Sequence, residues 1–247
     1  MQKGILITEK LNLIKKEDSF LVDNYIDLIF IRLEARMSLQ MEVDTDLKEI
    51  NNSNDIFTVI KKRHSVRSYT KKMVSEGLIK MLIELATRAP SSMNRQPWGF
   101  IIVSNSQLLE KISLKSKAHF LNSLDKNEHK IGELKPLLEN EEFNIFYNAP
   151  VLIIICARED ENISMKEETS PEADCFLAGE NLMLAAIGMG LGTCPIGLSL
   201  PVLRTNEIRT TLDIPKGYLP VLPIVVGYPS DNESYVERQR PLIKWIH

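Results

Sequence analysis

The sequence predicts a mixed helix-and-strand domain whose sheet is covered by helices on both faces. Three observations carry this. The runs Gly99 to Val103, Val151 to Ala157 and Val221 to Val226 are continuous in apolar residues and do not alternate, as strands buried on both faces do. The segment from about Asp174 to Gly188 is apolar nearly all round, so as a helix it must be covered on every side, at a domain centre or in a dimer interface. The chain has 247 residues, 44% apolar and 26% charged, which is enough for one large core and favours one main domain over two.

Taken in order, residues 1–54 read as an N-terminal helical extension and linker, and residues 55–247 as the domain. Within the extension, Val22, Ile26, Ile29 and Leu33 recur at helical spacing, widened by Tyr25, Leu28 and Phe30. Asp23, Asp27 and Arg32 interrupt this stretch and it is too short to span a bilayer, so it is expected to pack on protein, with no membrane partner. The start at Met1 leads into charged residues and not into a signal-peptide pattern. The polar run Glu49 to Asn54 reads as the linker.

Asp55 then caps a short helix through Ile60, which delivers Arg63, Ser65 and Arg67 in extended chain. Ser75 precedes a second helix with Leu78, Ile79, Leu82, Leu85 and Ala86 on its buried face, halted before Pro90. Between the first two strands lies the charged, helical-looking segment Ser104 to Asn148. Gly188, Gly190 and Gly192 break the long apolar helix into a turn at Thr193 to Gly197.

Two segments carry chemistry. Arg63-His64-Ser65-Val66-Arg67 presents two guanidinium forks and a hydroxyl on alternate residues, which suits a doubly charged phosphate and its polyol tail. Ala89 to Trp98 holds Ser91, Ser92, Asn94 and Gln96 between prolines, a stiff loop of neutral donors and acceptors for the edge of a flat heterocycle. Together they describe a phosphorylated aromatic cofactor, and FMN fits better than a dinucleotide because no G-x-G-x-x-G follows a strand. A net charge of −3 leaves no global basic field for nucleic acid or anionic lipid. Cys156, Cys175 and Cys194 are widely spaced and odd in number, so neither a disulfide framework nor a metal site is indicated, and a reducing cytoplasm is implied.

These segments, with Asn148 to Ile154, Gly188 to Gly197, Val226-Gly227-Tyr228-Pro229 and Arg238-Gln239-Arg240-Pro241-Leu242, resemble the FMN-dependent nitroreductase family in the family's order, over roughly residues 55–246. The resemblance implies an α+β nitroreductase-like fold with a central, mostly antiparallel sheet covered on both faces by helices. It also implies a homodimer holding FMN at its interface, with NADH or NADPH as donor and a small molecule such as a nitroaromatic or quinone as acceptor. It places the phosphate at Arg63 and Ser65, the ribityl and pyrimidine oxygens at Arg67, and His64 among the cofactor-binding residues. The partner-facing side of the flavin falls to Pro90, Ser91, Ser92 and Asn94, and the ring to Pro195, Ile196 and Gly197, whose backbone N–H would face N5. Arg238 or Arg240 closes the phosphate site, and which one is left open because Gln239 stands between them.

Phe120, His129, Phe143, Phe146 and Tyr147 are candidate substrate contacts, with ordinary packing the heavier expectation for most and surface exposure for His129. No side chain is expected to act as acid, base or nucleophile, since the chemistry belongs to the flavin. Two other functions share this pattern: a flavin-binding sensor without turnover, and a dehalogenase or flavin-degrading branch of the same fold. The Glu, Tyr and Lys lid of the dehalogenases is not evident between Lys115 and Asn148.

Overall fold

A computed structural model describes residues 55–123, 134–158, 170–230 and 237–246. The N-terminal extension and His129 lie outside the described residues. Asp55 caps α1 (Ile56–Lys62) by accepting from the Thr58 amide at 3.0 Å, and Ser75 caps α2 (Glu76–Ala86) by accepting from the Leu78 amide. There follow β1 (Trp98–Val103), α3 (Ser106–Ser123), α4 (Lys135–Glu139), β2 (Val151–Arg158) and α5 (Pro171–Gly188). The chain ends its regular structure with β3 (Gly192–Pro195), α6 (Leu200–Leu203), α7 (Asn206–Thr211) and β4 (Tyr218–Gly227).

The four strands form one antiparallel sheet in the order β1-β2-β4-β3. Because successive side chains of a strand point to opposite faces, β2 feeds both sides of the core. Val151, Ile153, Ile155 and Ala157 pack with α2 and α5, while Leu152, Ile154 and Cys156 pack with α3, α6 and α7. The outcome is a three-layer α+β domain, as expected.

Local differences have physical reasons. The expected buried strand at Gly99 to Val103 is the sheet edge: Ile102 is 42% exposed and only Val103 is buried. The expected turn at Thr193 to Gly197 begins as a strand, β3, paired to Val225 and Val226. The third strand starts earlier than its apolar run, at Tyr218, because Pro220 falls where the β2 to β4 register shifts and a missing ladder N–H is tolerated. In α2, Leu85 faces outward, not into the core.

Candidate functional site

The donor-rich segment after α1 is stitched to the sheet by backbone bonds. Arg63 ends the helix, and from there the chain runs extended: Val66 N–H donates to Thr193 O at 2.9 Å and Thr70 N–H to Tyr228 O at 2.9 Å. Ser68 O accepts from the Ser230 amide, the two hydroxyls of Ser68 and Ser230 bond each other, and Tyr69 Oη donates to Val66 O at 2.8 Å. This places Arg63 to Arg67 beside β3. The approach is close enough that a Cβ on Gly192 would stand 2.7 to 2.9 Å from three atoms of the Val66 side chain.

Two arginines converge at the end of α1. The Arg63 guanidinium lies 3.6 Å from the Glu180 carboxylate on α5, and its own carbonyl accepts from Arg238 at 3.3 Å. Arg238 is therefore the tail arginine that reaches this segment, whereas Arg240 is exposed and makes no polar contact among the described residues. His64 is pinned through Nδ1 to the Lys62 carbonyl at 2.8 Å.

Burial holds the Cys194 thiol above the usual range, even though nearby Arg67 and Ser65 pull it down. Burial likewise pushes Cys156 up to about 11 and Cys175 up to about 12. All three cysteines are buried and free. Thr193 is also buried, and its hydroxyl has no partner among the described residues.

Past Pro195 the Ile196 amide is spent on Pro223 O at 2.9 Å, but the Gly197 amide, first in a short 3-10 turn, makes no hydrogen bond among the described residues. A Cβ built on Gly197 meets nothing within 4 Å, so the side of this residue where a side chain would stand is open. The turn that leads there is set by Gly190, which ends α5 at φ 71°, a conformation glycine adopts without strain.

The Ser91 to Gln96 loop is held on the other side. Met93, Asn94 and Gln96 have φ of 51°, 54° and 49°, left-handed positions that cost about 1–3 kcal/mol each for non-glycine residues, least for Asn. The loop is closed on itself by Asn94 N–H to Ser91 O, Arg95 N–H to Ser92 O and Gln96 N–H to Ser91 Oγ. Its tie to the body of the fold is Ser92 N–H, which donates to both carboxylate oxygens of Asp174 at 3.2 and 3.3 Å. Asp174 and Glu180 are six residues apart on α5, about 9 Å along the axis, so one helix supports both the loop and the arginine cluster.

Asp174 and Glu180 were not anticipated from sequence. Their signal was present, as acids in a mostly apolar helix. Phe146, a candidate substrate contact, is 1% exposed and belongs to the core. Phe143 and Tyr147 make an edge-to-face pair and stay partly exposed, and Phe120 packs on the same core cluster. A buried cation supports their loop: Lys117 Nζ donates to Asn140 O at 2.6 Å and Phe143 O at 2.9 Å. Among the described residues no helix is long and apolar enough to cross a membrane.

Residues 60–228 match the model of the nitroreductase family. A putative NADH dehydrogenase/NAD(P)H nitroreductase of Methanothermobacter thermautotrophicus is 32% identical over 178 residues, covering 72% of this chain and 79% of the relative. An iodotyrosine deiodinase of Thermotoga neapolitana is 28% identical over 198 residues, 77% of this chain and 97% of the relative. Among solved structures, a nitroreductase with bound FMN from Bacteroides fragilis superposes with a TM-score of 0.64 at 26% identity, over 79% of this chain and all of that one. The sheet order, the paired motif segments and these likenesses agree: the chain belongs to the nitroreductase family.

Proposed function

We propose that this protein is a homodimeric reductase that draws electrons from NADH or NADPH and passes them to a small organic acceptor, a nitroaromatic or a quinone. The chain is an FMN-dependent NAD(P)H oxidoreductase by family. One observation carries the reading of its site: the Val66 to Thr193 hydrogen bond lays the arginine-bearing segment against the turn at Gly197, whose amide has no partner among the described residues and whose Cβ side is open. Phosphate donors at one end and a free backbone donor beside open space at the other fit FMN.

In this reading Arg63, Ser65 and Arg238 hold the phosphate, with His64 beside them, and Arg67 meets the ribityl and pyrimidine oxygens. Pro90, Ser91, Ser92 and Asn94 take the partner-facing side, and Pro195, Ile196 and Gly197 border the ring. When bound, FMN supplies hydride acceptance from the nicotinamide and delivery to the acceptor at N5. The Gly197 N–H would stabilise charge at N5 as a fixed dipole that needs no reorganisation and no titratable side chain. Glu180 balances Arg63 until the phosphate arrives.

The dimer is supported by apolar surface left open in one protomer. Ile56, Phe57 and Ile60 on α1 and Phe176 and Leu177 on α5 are exposed, and these two helices pack side by side. The tail adds Leu242, Ile243, Trp245 and Ile246. Exposed apolar area of this kind marks a protein interface. Residues 55–247 form the catalytic unit and residues 1–54 an appended segment, and the three free thiols suit a reducing cytoplasm.

Anaerobic stopped-flow mixing of the yellow protein with NADH and with NADPH tests the activity. Rapid bleaching with either, reversed by a quinone or a nitroarene, is expected. A flavin that resists both nicotinamides would make the protein a flavin-binding module without turnover.

A further inference from the structure

We propose that Asp174 is the positioning residue that holds the Ser91 to Asn94 loop in cofactor-binding form, through the Ser92 backbone N–H. The proposal rests on the reading that this loop lines the flavin. Asp174 is 8% exposed, and both of its oxygens accept from the same amide at 3.2 and 3.3 Å. A nearly buried carboxylate is retained where it is hydrogen-bonded, and here the first turn of α5 adds the positive end of a helix dipole. Met93 and Asn94 in this loop, and Gln96 just after it, are non-glycine residues at positive φ, a shape that persists only where its surroundings over-determine it.

Among the described hydrogen bonds, those within the loop close it on itself, and those to Asp174 fasten it to the fold. With its amide turned inward, Ser92 keeps a hydroxyl that bonds nothing among the described residues, and Asn94 is exposed. The clamp thus spends a backbone donor to leave side-chain donors outward. Because Asp174 lies on the same helix as Glu180, the loop and the Arg63 cluster are set at a fixed separation.

The test uses the full-length protein and two routes to the same bond. Asp174→Ala removes the acceptor; Ser92→Pro removes the donor at the first residue of a helical turn, where proline fits, and Ser92→Ala controls for the lost hydroxyl. Hydrogen exchange of residues 90–97 in FMN-free protein and FMN affinity by fluorescence quenching are read together.

Asp174→Ala is expected to speed loop exchange at least about tenfold and weaken FMN by roughly 10- to 100-fold, as loss of a charge-assisted bond does. Ser92→Pro should match it, beyond Ser92→Ala, and Asp174→Asn, which keeps an acceptor oxygen, should recover most of both effects. Unchanged loop exchange in Asp174→Ala or in Ser92→Pro overturns the proposal. So does wild-type FMN affinity in Asp174→Ala while Asn94→Ala weakens FMN. If Asn94→Ala and Asp174→Ala both bind FMN as wild type does, it is the underlying assignment of the loop that fails.

Discussion

Replacing Gly192 by Ala probes the joint between the two motif segments. The added Cβ would lie 2.7 Å from Val66 Cγ2 and 2.9 Å from Val66 Cβ and Cγ1. Since Cβ itself is one of the clashing atoms and both methyls are already in place, no rotation of Val66 relieves the contact. The strand and the segment must part by several tenths of an ångström, against the 2.9 Å bond from Val66 N–H to Thr193 O. Overpacking of this kind costs about 1–3 kcal/mol. For a domain of this size that lowers the melting temperature by about 2–4 °C per kcal/mol.

FMN affinity should fall further than stability alone implies, by roughly tenfold, because the moving segment carries Arg63, Ser65 and Arg67. Adding Val66→Ala removes two of the three close atoms and should restore part of both losses. Differential scanning fluorimetry of the FMN-free variants and fluorescence titration with FMN give the two numbers. If Gly192→Ala melts and binds FMN as wild type does, the close packing of the segments is wrong.

Arg63→Ala should weaken FMN by about 1.5–3 kcal/mol, or 10- to 150-fold, with turnover per bound flavin nearly unchanged, whereas Gly197→Val should leave FMN-free stability intact and slow flavin reduction at full occupancy. Lys117→Met leaves the Asn140 and Phe143 carbonyls without their donor and should destabilise the fold by about 1.5–3 kcal/mol, read by urea unfolding. Burial raises the thiols of Cys156, Cys175 and Cys194, so native protein at pH 8 should label with iodoacetamide far more slowly than unfolded protein. Because the unfolded chain loses these protons from about pH 8.5 while the folded chain keeps them, urea midpoints should decline as pH rises from there. Sedimentation at micromolar concentration should show a dimer; a stable, flavin-retaining monomer contradicts the interface assigned to α1 and α5.

What the sequence disclosed and withheld follows from the range of the interactions. The caps at Asp55 and Ser75 are local bonds three residues long, and both helices begin where those residues place them. β2 is central, so its seven buried residues read as an apolar run. β1 has a similar composition, but lying at the edge is a property of pairing and not of composition, and it read falsely as buried. β3 is four residues with Gly and Pro at its ends, a strand only because β4 runs beside it.

The site divides in the same way. Arg63, Ser65 and Arg67 stood out in the sequence because donors on alternate residues have a chemical meaning on their own, and the fold sets them on one extended segment beside β3. Asp174 is marked in sequence only as an acid among apolar residues; what it does is not, because its partner is an amide 82 residues earlier in the chain, and an amide leaves no mark in sequence. Which of Arg238 and Arg240 approaches the Arg63 segment is decided by the folded tail, which brings Arg238 to the Arg63 carbonyl.

Two separated segments, Arg63 to Arg67 and Thr193 to Gly197, are proposed to join into one FMN cradle. Cofactor released by heat from the purified protein, identified and counted by chromatography, tests it most directly. FMN, noncovalent and one per chain, is expected, with a ratio well below that in Arg63→Ala at the same free FMN. FAD, another chromophore, or no flavin taken up on reconstitution would contradict it.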